Sequence, residues 1–178
     1  MKKKSFPLAN AYGLLETGPV VLITTSHKGT ANIMTQSWHT MMEFVPPLVG
    51  CVISGNNHSF AALKATRECV INIPTAELAR QVVIAGNNSG RKVDKFARTG
   101  LTAAPASLVQ APLIAECYAN LECKVADTRL VNSYNFFILE VVKAWIDPAV
   151  KDPKTLHHRG SGKFMIAGET VKLPSRMK

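Results

Sequence analysis

The chain has 178 residues, 47% apolar and 7% aromatic, with a formal charge of +9. That size and composition suit one globular domain, 1–178, with a core of its own. No apolar run reaches the roughly 20 residues a membrane helix needs. The charge does not point to nucleic acid. Residues 2–4 contribute +3, and residues 151–178 carry seven basic and two acidic side chains, which leaves +1 for residues 5–150. The excess therefore sits in end segments that are usually solvated, and residues 1–5 and 172–178 read as flexible tails. Met1-Lys2-Lys3-Lys4 is followed by Ser5-Phe6-Pro7 and not by an apolar stretch, so no secretory signal is expected.

In chain order, Val20 to Thr25 reads as a buried strand. Ser26-His27-Lys28-Gly29 supplies a turn, and Thr30 to Thr35 a second strand, which together predict a hairpin. Pro46-Pro47 breaks the chain before a third strand, Leu48 to Ser54. Ser59 is placed to cap a short helix through Thr66. Cys69 to Ile73 is a fourth strand, ended by Pro74. Thr75 to Ala85 reads as a helix capped by Thr75, with Leu78, Val82 and Ala85 on one face. After the loop Gly86–Gly90, Arg91 to Arg98 reads as a further helix closed by Gly100. Cys117 to Ala126 alternates with period two, which predicts a strand with one buried face. Phe136 to Ile146 is another long strand. The segment 163–167 closes the pattern.

Strands joined by hairpin-like links, with helices inserted between them, predict a mainly β fold: a β-barrel with inserted helices. No GxGxxG follows a strand, which excludes the usual dinucleotide-binding α/β fold. Cys51, Cys69, Cys117 and Cys123 lack CxxC spacing, which argues against a metal cluster and for reduced core thiols in a cytoplasmic protein. His157-His158 reads as an exposed polar loop. No catalytic motif is present.

Small hydrogen-bonding residues instead gather at strand ends. They are Asn32, Thr35, Gln36, Ser37 and Trp38; Ser54, Asn56, Asn57, His58 and Ser59; and Ser89, Gly90, Arg91 and Lys92. Arg91, Lys92, Lys95 and Arg98 face only Asp94 in sequence. Hydroxyls, helix-start N–H groups and cations are the parts of a phosphate site.

Several stretches resemble one family in order and spacing. They are GPVVLITT at 18–25, ANIMTQSW at 31–38, PPLVGCVIS at 46–54, HSF at 58–60 and CVINIP at 69–74. SGRKVDKF at 89–96, GLT at 100–102, APLIAEC at 111–117, NLECKV at 120–125, FILEVV at 137–142 and GKFMIAGETV at 162–171 continue the match. The chain thereby resembles the flavin reductase-like, FMN-binding split-barrel proteins of the flavoredoxin type.

The resemblance implies a split barrel of Greek-key character, a homodimer, and FMN as cofactor with NAD(P)H as electron donor. It places the flavin ring along Asn32 to Trp38. It places the phosphate at Asn57, His58 and Ser59, with Ser54 nearby and Ser89, Arg91, Lys92 and Lys95 closing that end. This chain departs from the family pattern at Asn57, where Arg is common, at Lys92, where Asp is common, and at Phe164-Met165, where paired tyrosines are common. The chemistry would belong to the flavin, so no catalytic side chain is required. Three functions remain open: an NAD(P)H-dependent flavin oxidoreductase, a carrier that passes electrons between partner proteins, and a basic non-redox binding protein. The location of the charge argues against the last.

Overall fold

The computed structural model describes residues 18–174. The expected tail 1–5 lies outside the described residues, as do residues 175–178; residues 172–174 carry no regular structure.

Seven strands make one antiparallel sheet in the order β2-β1-β5-β8-β9-β4-β3. β1 is Val21–His27 and β2 Thr30–Gln36. Their two-residue turn has Lys28 at φ 51° and Gly29 at φ 77°. Both are left-handed, the geometry that matches the twist of the flanking strands. β3 is His39–Phe44 and β4 Pro47–Val52, also a hairpin. From β4 the chain crosses to β5, Glu68–Ile73, on the far side of β1. β8, Ala119–Asp127, and β9, Phe136–Ile146, then fill the gap between β5 and β4. That return gives the Greek-key character. The edge strands β2 and β3 are consecutive in the chain, so the sheet curls into a barrel that is split between them. Short pairs β6 (Ala103–Ala104) with β7 (Leu113–Ile114), and β10 (Leu156–His158) with β11 (Phe164–Ile166), lie outside the main sheet.

Two apolar clusters explain the continuous run at 20–25. Val21 and Ile23 join the barrel core with Cys51, Cys69, Cys123, Phe137 and Leu139. Val20 and Leu22 face the other way, toward Val82, Ala85, Ile114 and Leu156. A strand covered on both faces does not alternate. Helix α1, His58–Thr66, adds Leu63 and Phe60 to the barrel core. Helix α2, Ala79–Asn87, lays Val82 and Ala85 over the second cluster. A fourth short helix, α4 (Val131–Tyr134), precedes β9, and α3 is Lys95–Thr99.

Several expectations need correction. The residue at the start of α1 is Asn57, and Ser59 lies buried inside the first turn. Thr75 makes no side-chain cap; a 3₁₀ turn, Ala76–Leu78, leads into α2. Arg91 and Lys92 are not helical. Lys92 N and Val93 N donate to Ser89 O in a turn, and the helix starts only at Lys95, where Asp94 accepts from Ala97 N. Gly100 does close it, at φ 73°. His157-His158 is half-buried β10 and not an exposed loop, because β11 pairs with it. β3 carries no apolar pattern in the sequence, since five of its six residues are exposed.

On β8, Asn120 and Glu122 are buried along with the apolar positions, because loop 105–114 covers the outer face. Glu122 is fully buried. It accepts from Ser107 N at 3.0 Å, Leu108 N at 2.6 Å and Trp145 Nε1 at 2.8 Å. Burial pushes its carboxyl up, but these bonds outweigh burial and hold it below the usual range. The four cysteines are free and buried. Burial pushes the Cys51 and Cys117 thiols up to about 12, as unreactive core groups.

Because Glu122 is held low in the folded state, its contribution is present above the unfolded carboxylate pKa and fades as pH falls through the folded one. Glu122→Gln should cost about 1–3 kcal/mol near neutral pH, since three N–H donors lose a charged acceptor. Urea unfolding at pH 7 and in acid checks this. The gap between wild type and variant should shrink in acid; a constant gap would rule out the charge as its source.

Candidate functional site

A groove runs along the split, in two adjoining chambers. The larger has a volume of about 460 Å³ and is lined by Thr35 to Trp38, by Val82, Val83, Gly86 and Asn87 of α2, and by His158, Gly162 and Phe164. The smaller, about 220 Å³, is polar. Its walls include Asn32, Asn57, His58, Ser59, Ser89, Gly90 and Lys95. Thr35 and Gly86 line both chambers, so the two adjoin.

The local structure follows from the sequence. β2 runs along the groove floor, placing Asn32 at the polar end and Gln36 at the apolar end. Thr35 Oγ1 donates to Val82 O at 2.7 Å and so ties α2 to the strand. Gln36 is buried, and its Nε2 donates to Trp38 O at 3.1 Å and Val52 O at 2.9 Å. Its Oε1 has no partner among the described residues. The half-buried Phe164 ring lies 5.2 Å from the His158 ring and closes one side.

At the polar end, Asn32 Nδ2 donates to Ser59 Oγ at 2.9 Å, both buried. The start of α1 carries no side-chain cap, so the positive end of the helix dipole opens here. Asn57 Nδ2 meets the Met34 sulfur at 3.4 Å. Lys95 is buried, and its Nζ donates to Ala85 O at 2.7 Å. An ammonium has three donors, and that bond uses one. Burial pulls the Lys95 pKa below its usual value of 10.5.

Most of the anticipated residues meet here: Asn32, Thr35, Gln36, Ser37, Trp38, Asn57, His58, Ser59, Ser89 and Lys95 line the groove. Asn32, expected beside a flavin ring, lines the polar chamber, with its amide on Ser59 Oγ. Ser54 lines neither chamber; its carbonyl accepts from Asn57 N and its hydroxyl from Asn56 N, shaping the turn into α1. Arg91 and Lys92 are exposed and line neither chamber. Val82, Val83, Gly86, Asn87, His158 and Gly162 were not anticipated. The small residues Gly86-Asn87 at the end of an amphipathic helix were the available signal.

A curled antiparallel sheet with two adjoining chambers at its split defines a split-barrel protein. The comparisons give the family. Residues 15–164 match the flavin reductase like domain, and the chain belongs to that family. It is similar to the uncharacterised protein YddH of Escherichia coli K12, 32% identical over 178 aligned residues that cover 92% of this chain and 94% of that one. Among solved structures it resembles an FMN-binding domain of a flavin reductases-like enzyme from Shewanella baltica. There the TM-score is 0.83 and the identity 26%, over 96% and 97% of the two chains. It also shares the fold of the flavoredoxin of Desulfovibrio vulgaris, with a TM-score of 0.85, 23% identity and 97% coverage of both chains.

Gly90 tests the packing of the polar chamber. A methyl group there would overlap the Asn32 amide oxygen and lie 2.8 Å from the His58 ring. Gly90→Ala should destabilise by about 1–3 kcal/mol through overpacking. Gly86→Ala, whose methyl would meet Thr35 at 3.4 Å or more, should be neutral or stabilising within α2. Urea denaturation of both variants checks this, and equal stabilities would refute the proposed packing.

Proposed function

We propose that this chain holds FMN in the groove and acts as an NAD(P)H-dependent flavin oxidoreductase, as a single domain. The observation that supports it best is the adjacency of a large, mainly apolar chamber and a small polar one at Thr35 and Gly86. FMN has the same division, a flat ring system at one end and a phosphate at the other. The residues present fit it. Trp38, Val82, Val83 and Phe164 would hold the ring. Asn57, His58, Ser59 and Ser89, the open start of α1 and Lys95 would hold the phosphate. Lys95 takes the role for which the sequence favours Lys92, with Arg91 and Lys95 next in line. When bound, FMN supplies the redox chemistry; the protein's part is to orient it, desolvate one face and complement its charge.

The four buried thiols support a reducing, cytoplasmic setting. A homodimer is supported by apolar residues that β3 and the residue before it leave in water: Trp38 at 55%, Met41 at 58% and Phe44 at 76% exposure. Light scattering at micromolar concentration should give twice the chain mass; a monomer would exclude the dimer.

Lys95→Met should weaken FMN binding about ten- to a hundredfold, because a charge-assisted hydrogen bond contributes roughly 1.5–3 kcal/mol. Riboflavin, which lacks the phosphate, should change little. Lys92→Ala should leave both within about twofold, since exposed charges contribute little. FMN affinity should also fall in alkali, earlier than an ordinary lysine would predict, because burial lowers the Lys95 pKa. Flavin fluorescence titration reads all three. Anaerobic addition of NADH or NADPH to the yellow protein tests the oxidoreductase step. Bleaching supports it; persistent yellow colour with both donors turns the assignment to an electron carrier.

A further inference from the structure

Gly86 is a glycine that the packing does not require. Gly29 and Gly100 are left-handed, at φ 77° and 73°. A Cβ on Gly50 would run into the Phe136 ring, and one on Gly90 into the Asn32 amide. Gly86 has neither reason. It lies inside α2 and outside the left-handed region. The nearest atoms an added Cβ would meet are those of Thr35, at 3.4–3.8 Å, which is ordinary contact. Glycine within a helix weakens it relative to alanine. Yet this is the place where the two chambers adjoin, since Thr35 and Gly86 line both. The spacing there is fixed. Val82, one turn earlier in α2, is fully buried, and its carbonyl accepts from Thr35 Oγ1 at 2.7 Å. Ala85 is fully buried in the same apolar cluster. α2 is thereby held to β2 and cannot draw back to make room for a side chain at 86.

Resting on the FMN assignment above, we infer that Gly86 is a specificity-determining residue: its missing side chain leaves open the passage between α2 and Thr35 that the flavin's sugar-alcohol chain takes from one chamber to the other. That slender chain alone joins the ring of FMN to its phosphate. A methyl group at 86 takes up the space beside Thr35 that the chain needs, and a branched side chain takes up more. Alanine at 86 therefore helps the helix and harms the ligand, whereas alanine at 90 harms the packing itself. Glycine at 86 is a concession of stability to binding.

The test takes Gly86→Ala and Gly86→Val in the full chain through urea unfolding without flavin and fluorescence titration with FMN and riboflavin. Gly86→Ala should unfold at the same urea concentration as wild type or a higher one. It should nonetheless bind FMN about tenfold more weakly, and Gly86→Val about a hundredfold, the range that overpacking produces. Riboflavin carries the same chain without the phosphate, so it should weaken by the same factor as FMN. That separates Gly86 from Lys95, whose loss should touch FMN alone. Gly86→Ala decides by itself if the valine variant does not fold. Wild-type FMN affinity in Gly86→Ala, or a loss confined to FMN, would overturn the inference. A lower urea midpoint for Gly86→Ala would also overturn it, by making glycine a packing requirement. Wild-type protein that purifies without flavin and takes none up would overturn the FMN assignment itself, and flavin content shows this before any variant is titrated.

Discussion

β2 and β3 follow one another with only Ser37 and Trp38 between them, yet they occupy opposite edges of a seven-stranded sheet. The barrel must therefore close at a point where no ladder of backbone bonds joins the edges. Gln36 stands at that point. Its buried amide reaches from the end of β2 to Trp38 O and Val52 O, and Val52 N donates back to Trp38 O at 3.0 Å. A side chain thus replaces part of the missing ladder. Truncating it would leave buried carbonyls short of a donor, a penalty of about 1–3 kcal/mol. The groove exists because the closure is local: beyond Gln36 the edge of β2 is free to meet α2, the α1 start and the β10–β11 hairpin.

The two buried charges with shifted pKa values show how the fold separates structure from site. Glu122 is surrounded by N–H donors, and its charge is stabilised where it stands. It pins a loop over the sheet and is satisfied. Lys95 is buried with one carbonyl on a three-donor ammonium, and its charged form is disfavoured. A buried cation left short of acceptors is costly, and an incoming phosphate would relieve that cost. The same fold therefore holds one buried charge that its neighbours stabilise and one that burial disfavours.

Much of the architecture was legible in the sequence, for identifiable reasons. β1, β2, β4, β5, β8 and β9 announce themselves by apolar runs or period-two alternation, and the boundaries of β9 fall at Phe136 and Ile146 as read. β3 was hidden because five of its six residues are exposed, so its pattern has no inside. The two- and three-residue strands are too short for any period. Asn120 and Glu122 read as outward-facing because a covering loop leaves no mark on the alternation. In the site, Thr35 to Trp38 and Asn57 to Ser59 were legible as polar residues at strand and helix ends. The choice among Arg91, Lys92 and Lys95 was not: it depends on Asp94 starting α3 one residue before Lys95, which turns that side chain under Ala85. His158 and Gly162 reach the groove only through the folding back of a hairpin about 120 residues after β2.

The placement of the phosphate against Lys95 and the α1 start is the claim on which the rest turns, and ³¹P NMR of the FMN-loaded protein tests it most directly. A free phosphate monoester titrates near pH 6. Held beside a buried ammonium and open helix N–H groups, it should stay dianionic, and its resonance should remain flat from about pH 5 to 8. A resonance that moves with pH as free FMN does would put the phosphate in water and contradict the site.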